Sequence, residues 1–419
     1  MTSDDREAYV WVWLPGRSEP VVAGRVYRAG QRLAFNYGRS YLERNDARPL
    51  YLPELPLKRG ALEPLPGLSM AGCLRDGAPD AWGRRVVLNR LFGARGRNTD
   101  PGDIDELTYL LNSGSDRPGA LDFQRSPAEY MPRQPQGASL EALLEAAALV
   151  EAGRSLPPAL DQALFHGSSL GGARPKAEIE SGNRKYIAKF SSSTDSYNVV
   201  KAEYVAMRLA ACLGLQVARV HLEQAAGRDV LLVERFDREK TPNGWTRKAM
   251  VSALTMLELD EMMARYASYE TLAEIVRHRF TEPSETLKEL FARLVFNVLC
   301  GNTDDHARNH AAFWDGHSLS LTPAYDLCPQ GRTGNEASQA MLIDGDRRLS
   351  NLGVCLAAAR HFRLGREEAR AEIVRQVEGV REHLPEIMDE AQVSEVDRRF
   401  LAGRVFLNSS IFDGAGWVR

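Results

Sequence analysis

Cysteine is scarce in this chain of 419 residues: there are five, Cys73, Cys212, Cys300, Cys328 and Cys355. Their odd number, wide scatter and lack of C-x-x-C spacing exclude a disulfide framework, a zinc ribbon and a dithiol redox pair, leaving buried free thiols as the expectation. Apolar runs of about 18 residues are also missing, which excludes a membrane-spanning helix. The polar, acidic opening residues 1–7 lead into no basic-then-apolar leader, so a soluble, cytoplasmic chain with no membrane partner is expected. Nor is there an excess of either charge: 53 basic against 56 acidic residues give a net charge of −3, too little positive field for non-specific nucleic-acid binding. No repeat with a period of about 20–50 residues is visible, which sets aside solenoids and propellers. What is present is ordinary globular usage, 44% hydrophobic and 26% charged, in a chain long enough for two lobes with a cleft.

Short alternating runs at 9–14, 21–27 and 32–37, punctuated by Pro15-Gly16 and Ala29-Gly30, predict a small β-rich module at the start of the chain. Helical periodicity follows at 79–92 and 140–152, separated by the Pro/Gln/Gly-rich stretch 132–137, where a domain boundary is placed. A hairpin with a Ser181-Gly182-Asn183 turn is predicted over 176–190, then a helix at 199–213 and strands at 217–224 and 230–236. After Ser252 the chain reads as helical, notably at 268–280, 284–300, 366–381 and 391–411. The expected architecture is therefore α+β and bilobal. It comprises a β-rich N-terminal domain (1–135), a nucleotide-binding segment (136–250) and a helical C-terminal lobe (251–419).

The sharpest motif is Asn302-Thr303-Asp304-Asp305-His306-Ala307-Arg308-Asn309, set between an apolar helix and the short strand 311–314. Such a polar cluster at the edge of a core needs either solvent or a chemical role. Phosphoryl transfer requires a carboxylate to receive a hydroxyl proton and oxygen ligands for magnesium on the triphosphate. Asp304 and Asn309 have the D-x-x-x-x-N spacing of a protein-kinase catalytic loop, although the preceding His-Arg is missing. Asp304 is then the candidate base and Asn309 a candidate Mg2+ ligand, with His306 beside them. Asp326, in L-T-P-A-Y-D-L after the strand 318–321, follows in kinase order as a second Mg2+ ligand.

Upstream, Lys189 lies on a predicted strand, where a kinase lysine contacts ATP phosphates, and Glu203 on the next helix could orient it. Before them comes the loop 166–176, in which Gly171 and Gly172 permit close backbone approach and Ser168 and Ser169 can donate to phosphate. It lacks G-x-x-x-x-G-K-[ST], so it is not a Walker A loop. Glu234, Phe236 and Asp237 sit where an apolar strand turns polar, a place from which backbone groups could read an adenine edge; solvated charges at a strand end explain the pattern equally well.

Taken together, S-S-L-G-G-A-R-P-K (168–176), I-A-K-F (187–190), V-E-R-F-D-R (233–238), N-T-D-D-H-A-R-N (302–309) and L-T-P-A-Y-D-L (321–327) resemble the signature series of the HipA family. L-R-D-G-A-P-D-A-W-G (74–83) and D-R-P-G-A-L (116–121) resemble its N-terminal domain, so the likeness covers nearly the whole chain. The resemblance implies a kinase-like fold and a toxin of a toxin–antitoxin module. Such a toxin uses ATP and Mg2+ to phosphorylate serine on cytoplasmic protein targets such as aminoacyl-tRNA synthetases, causing growth arrest and persistence. It further implies a HipB-like helix-turn-helix antitoxin as partner, with operator DNA reached through that complex. The family roles carry over as Lys189 on the phosphates, Glu234 and Phe236 at the adenine hinge, Asp304 as base, Asn309 and Asp326 on magnesium, and Ser169 as a self-phosphorylated off-switch. Asp305 departs from members that carry glycine there, and it is expected to add negative charge beside the base and alter metal affinity or substrate choice. Competing readings are an aminoglycoside- or choline-type small-molecule kinase, a non-catalytic regulator, and a metallohydrolase built on Asp304, Asp305, His306 and His310.

Overall fold

The computed structural model describes residues 5–133, 138–165, 174–192, 194–332, 334 and 336–418. The chain divides into two compact units: residues 1–194, 223–251 and 313–317 form one, and 195–222, 252–312 and 318–419 the other. The fold is α+β, with sheets dominating the first unit and helices the second.

In the first unit, strands β1 (Glu7–Val12), β2 (Val21–Ala29) and β3 (Arg32–Tyr37) form an antiparallel meander. A fourth strand, β4 (Leu121–Gln124), adds to β1, giving the order β3-β2-β1-β4. The predicted strands are thus present, and β4, whose four residues carry too little periodicity to read, completes the sheet. Helix α1 (Ala81–Phe92) starts at Asp80, whose side chain accepts from the Gly83 amide, satisfying one of the orphan donors of the first turn. Helix α2 (Leu140–Glu151) is capped in the same way by Ser139.

The second sheet of this unit contains β5 (Lys176–Ser181), β6 (Arg184–Phe190), β7 (Val220–Ala225) and β8 (Arg228–Glu234) in the order β5-β6-β8-β7. Gly182, at a φ of 61°, supplies the left-handed residue that the tight β5–β6 turn needs, as its sequence foretold. Trp82 and Val86 of α1 and Leu143, Leu144, Ala147 and Val150 of α2 pack on Ala177, Ala188, Phe190, Val230 and Leu232 of the sheet. Each large apolar side chain so buried contributes roughly 1.5–3 kcal/mol of transfer free energy.

At the end of β8 the chain enters a buried charge network. Arg235, Asp237 and Arg238 are only 5%, 4% and 7% exposed, as is Asp116 at 8%. Asp116 Oδ1 accepts from Arg235 Nη1 at 3.1 Å and Arg238 Nη2 at 2.6 Å, and Lys185 pairs with its other oxygen. Asp237 Oδ2 accepts from Arg235 Nη2 at 2.9 Å, Arg238 Nη1 at 2.7 Å and the Gly119 amide at 2.8 Å. Burial pushes the Asp237 carboxyl up, but the two guanidiniums outweigh it and hold the pKa at about 2. Glu178 is the opposite case: burial, reinforced by the charge of Asp116, pushes it up to about 8 against Arg235 and Lys185.

The second unit is built on helices α3 (Val199–Cys212), α4 (Tyr269–Arg279), α5 (Pro283–Leu299) and α6 (Arg366–Glu390). Helix α5 begins with Pro283, suited to a first turn that needs no donor there; its first two turns are amphipathic, and from Leu290 to Leu299 every residue is buried in the core of the unit. Helix α6 runs nine residues beyond the predicted end at 381, straight through Pro385. Tertiary packing of Leu384, Ile387 and Met388 overrides the helix-breaking tendency of that proline. Among the described residues, no helix is long and apolar enough to cross a membrane.

Candidate active site

Helix α5 delivers the chain to Gly301, which sits at a φ of 71° with Val405 against it; a Cβ would lie 3.0 Å from the Val405 Cγ1 and carbonyl oxygen. Glycine is needed for both reasons. The loop then folds back on the helix end. Asn302 donates from its amide to the Asn297 carbonyl at 2.9 Å and from Nδ2 to Asn297 Oδ1 at 3.0 Å. The His306 amide bonds the Asp304 carbonyl and the Asn309 amide the His306 carbonyl, each at 2.8 Å. Asn309 Nδ2 also donates to the Asp304 carbonyl at 3.3 Å, which leaves its Oδ1 for another partner. The two ends of the D-x-x-x-x-N motif therefore meet in space.

The paired aspartates face opposite ways. Asp304 is exposed, whereas Asp305 is 1% exposed and turned into the unit. Asp305 Oδ1 bonds His310 Nε2 at 2.8 Å, its Oδ2 accepts from the Tyr269 hydroxyl, and Tyr269 and His310 are themselves 3.2 Å apart. Burial, with the Asp305 charge next, holds the Tyr269 pKa well above its ordinary value, so the phenol keeps its proton and donates. Asp305 does place its charge beside the base, where it helps to raise Asp304, and its carboxylate is at the same time engaged by two buried partners. Tyr269 was not found from the sequence. It lies 36 residues before Asp305, and no local pattern links them.

Asp326 reaches the same neighbourhood from the strand Leu319–Leu321. The segment is fastened at three points: the Ala324 amide to the Gln216 carbonyl at 2.8 Å, Tyr325 Oη to the Arg308 carbonyl at 2.7 Å, and the Gln330 amide to the Gly301 carbonyl at 3.0 Å. Tyr325 thus ties the residue before Asp326 to the loop between Asp304 and Asn309. Asp326 itself holds a φ of 59°, a left-handed conformation that aspartate tolerates better than most residues and that is concentrated at functional sites. Although Asp304 is open to solvent, its carboxyl is partly desolvated by the surrounding loop, and this raises it above its ordinary pKa; His306 pulls the other way, and the charges of Asp326 and Asp305 add to the rise. Asp304, His306, Asn309 and Asp326 therefore share one site within this unit.

Lys189 is the next-to-last residue of β6, in register with Lys176 on one side and Leu231 on the other. Glu203, on α3 of the second unit, is 3% exposed. Glu234 closes β8 opposite Tyr186, and Arg184 pairs with its carboxylate. Phe236 stacks edge-on against Phe313, with ring centroids 5.9 Å apart. Asp237 is taken up by the buried charge network, so its side chain fixes the end of the strand and presents no free oxygen to solvent. Ser168, Ser169, Gly171 and Gly172 lie outside the described residues.

Among the described residues, no group of three or more histidine, cysteine or acidic side chains could hold a metal by itself. Asp304, Asp305, His306 and His310, the donors of the metallohydrolase reading, form no such group. What remains, two carboxylates and an amide oxygen, is a hard oxygen set that suits magnesium once phosphate oxygens complete the shell.

Known proteins resemble this chain in both its N-terminal and its C-terminal parts. The HipA-like C-terminal domain matches residues 168–384, half of the chain, and the HipA N-terminal domain matches residues 12–124. The chain belongs to the HipA family. It is 30% identical over 146 residues to Y4mE of Sinorhizobium fredii, a protein whose name proposes a kinase, covering 34% of this chain and 33% of that one. It is 26% identical over 204 residues to the serine/threonine-protein kinase toxin HipA of Shewanella oneidensis, covering 42% of this chain and 47% of the toxin. The aligned stretches thus span a third to a half of the length of these relatives. Among solved structures, a chain of the Shewanella oneidensis complex of HipA, HipB and operator DNA superposes with a TM-score of 0.69 at 19% identity. That match covers 97% of this chain and 96% of the other, so the HipA fold extends over the whole described molecule.

Proposed function

We propose that this chain is an ATP- and magnesium-dependent serine/threonine protein kinase acting as the toxin of a toxin–antitoxin pair. The observation that carries the proposal is the loop closed by Asn309 on the Asp304 carbonyl, with Asp326 fastened to it through Tyr325 and Arg308. Asp304 is exposed and, of the two adjacent aspartates, the one not consumed by buried partners. It receives the proton of the acceptor hydroxyl as that oxygen takes the γ-phosphoryl group and ADP departs. Asn309 Oδ1 and Asp326 would hold magnesium, which supplies charge neutralisation on the phosphates when bound. By likeness to the family, Lys189, Glu203 and His306 are assigned to the nucleotide phosphates. Ser168, Gly171 and Gly172 wrap them, and backbone groups at Glu234 and Phe236 read the adenine. Asp237 serves this site indirectly, by fixing the strand end from which Glu234 and Phe236 project.

By likeness to the family, Ser169 is a self-phosphorylation site and off-switch, the substrate is a cytoplasmic protein of the translation apparatus, and the outcome is growth arrest and persistence. The HipB–operator complex of the solved relative supports a HipB-like antitoxin as partner, with DNA contacted through it. The test is incubation of purified protein with γ-labelled ATP and magnesium. Wild type should label itself at Ser169, and Asp304→Asn should lose at least roughly a hundredfold of that rate. Because the Asp304 pKa is raised and a base must be ionised to act, the rate should climb with pH through a midpoint above that of an ordinary aspartate. Label that persists at the wild-type rate in Asp304→Asn would remove Asp304 from the role of base.

A further inference from the structure

Helix α5 carries a charged residue where its burial is complete. Between Leu290 and Leu299 every side chain except that of Arg293 is uncharged, and Arg293 is 1% exposed. A guanidinium is costly to bury, and stability alone would favour an apolar side chain of the same volume there. Its hydrogen bonds show what it does instead. Nε donates to Glu289 Oε1, one turn earlier on the helix, at 2.7 Å. Nη2 donates to two backbone carbonyls from distant parts of the chain, Gln216 at 3.0 Å and Thr322 at 2.9 Å. Glu289 Oε1 also accepts from the Gln216 amide at 3.0 Å, so the pair grips Gln216 by both of its backbone groups.

The two backbones held in this way lead to the metal site. Val217 bridges Ala324 in parallel, with the Ala324 amide donating to the Gln216 carbonyl at 2.8 Å and the Ala218 amide to the Ala324 carbonyl at 2.9 Å. Thr322 is fixed from its other side, its amide and hydroxyl donating to the Ala311 carbonyl at 3.1 and 3.0 Å. Asp326 follows Thr322 by four residues and Ala324 by two, and it is held in a left-handed conformation. The Arg293 guanidinium is thus a post, rooted in the core helix of the second unit, from which the segment ending at Asp326 is hung.

We propose that Glu289 and Arg293 are positioning residues for Asp326: by fixing the backbone at 216 and 322 they set the affinity of the site for magnesium. Both act through the backbone of the segment, in the way that the outer partners of a metal ligand govern its orientation. A pair serving stability alone could be exchanged for apolar side chains without any effect on the metal. The inference rests on the kinase reading and adds to it the residues that hold one metal ligand in place.

The test uses the full chain and follows ATP binding by calorimetry across a magnesium titration. Arg293→Met removes the donors and should raise the magnesium concentration at half-saturation by roughly tenfold or more, with ATP affinity in EDTA unchanged. Arg293→Lys lacks the planar fork that reaches Glu289 and both carbonyls at once, so it should shift the midpoint severalfold in the same direction. It decides the question if the methionine variant does not fold. A second readout needs neither metal nor nucleotide: hydrogen exchange at the Ala324 amide should quicken in both variants. Leu287→Ala is the comparison, since it opens a cavity at a buried position six residues earlier on α5. It should lower Tm and leave the magnesium midpoint where it is. An Arg293→Lys protein with the wild-type midpoint, or an equal shift in Leu287→Ala, would reduce the pair to a tie within the core and overturn the proposal while the kinase reading stands. Wild type that binds no ATP at any magnesium concentration overturns the kinase reading and this proposal with it.

Discussion

Replacing Asp305 with alanine tests whether the buried triad beneath the catalytic loop holds that loop in place. The carboxylate is 1% exposed and serves two buried groups, Tyr269 Oη and His310 Nε2. Alanine leaves both without their acceptor, and each buried polar group left unsatisfied costs about 1–3 kcal/mol. Two such losses sum to roughly 2–6 kcal/mol, before any cavity contribution. With a urea m-value on the order of 3 kcal/mol/M, the unfolding midpoint followed by circular dichroism should fall by roughly 1–2 M. Asp305→Asn keeps an acceptor for the phenol and fills the same volume, so its midpoint should lie between alanine and wild type. Phosphoryl transfer should fall further than stability alone dictates, because a shift of about 1 Å in the Asp304 position can cost a hundredfold. An Asp305→Ala protein with a wild-type midpoint and wild-type transfer would refute the idea that the triad supports the loop.

Other consequences can be measured as readily. Glu178 keeps its proton up to about pH 8 in the native state but loses it near 4.5 when unfolded, so the native state binds the extra proton between those values. Stability should therefore fall as pH rises across that window, and Glu178→Gln should flatten the trend, with a higher Tm than wild type at pH above about 8. Asp237→Ala breaks a buried network by removing one partner and should cost about 3–5 kcal/mol in a denaturant titration. Asp326→Gly should be more stable than Asp326→Ala by about 1 kcal/mol, because alanine is strained at a φ of 59° while glycine is not, and both should lose phosphoryl transfer. Equal stability of the two would show that the left-handed conformation relaxes when the aspartate is removed.

The elements that announce themselves by periodicity were legible from the residues alone. The β5–β6 hairpin, α1, α2 and α5 appear within a residue or two of where alternation, caps and apolar faces put them. The spacing of Asp304 and Asn309 was legible too, because a loop motif is written locally. What could not be read were partnerships across long separations. Arg235, Asp237 and Arg238 look like solvated charges at a strand end until Asp116, 119 residues before Arg235, is seen to face them. The added charge of Asp305 was legible, but nothing in N-T-D-D-H says that its side chain turns inward to Tyr269 and His310. The extension of α6 through Pro385 was hidden for a similar reason: its cost is offset by packing that only the folded unit supplies.

The charge network at the end of β8 also sets an order of events during synthesis. The Asp116 carboxylate and the Lys185 amine leave the ribosome long before the guanidiniums of Arg235 and Arg238 that complete their surroundings. At roughly 5–20 residues per second, the 119 residues between Asp116 and Arg235 take roughly 6–24 s to translate. Throughout that interval the Asp116 carboxylate lacks its two arginine partners, and an ionised carboxylate without its counter-charges resists burial. The network around Asp116 therefore closes only when V-E-R-F-D-R emerges, and the first unit is complete only later still, once residues 313–317 have followed.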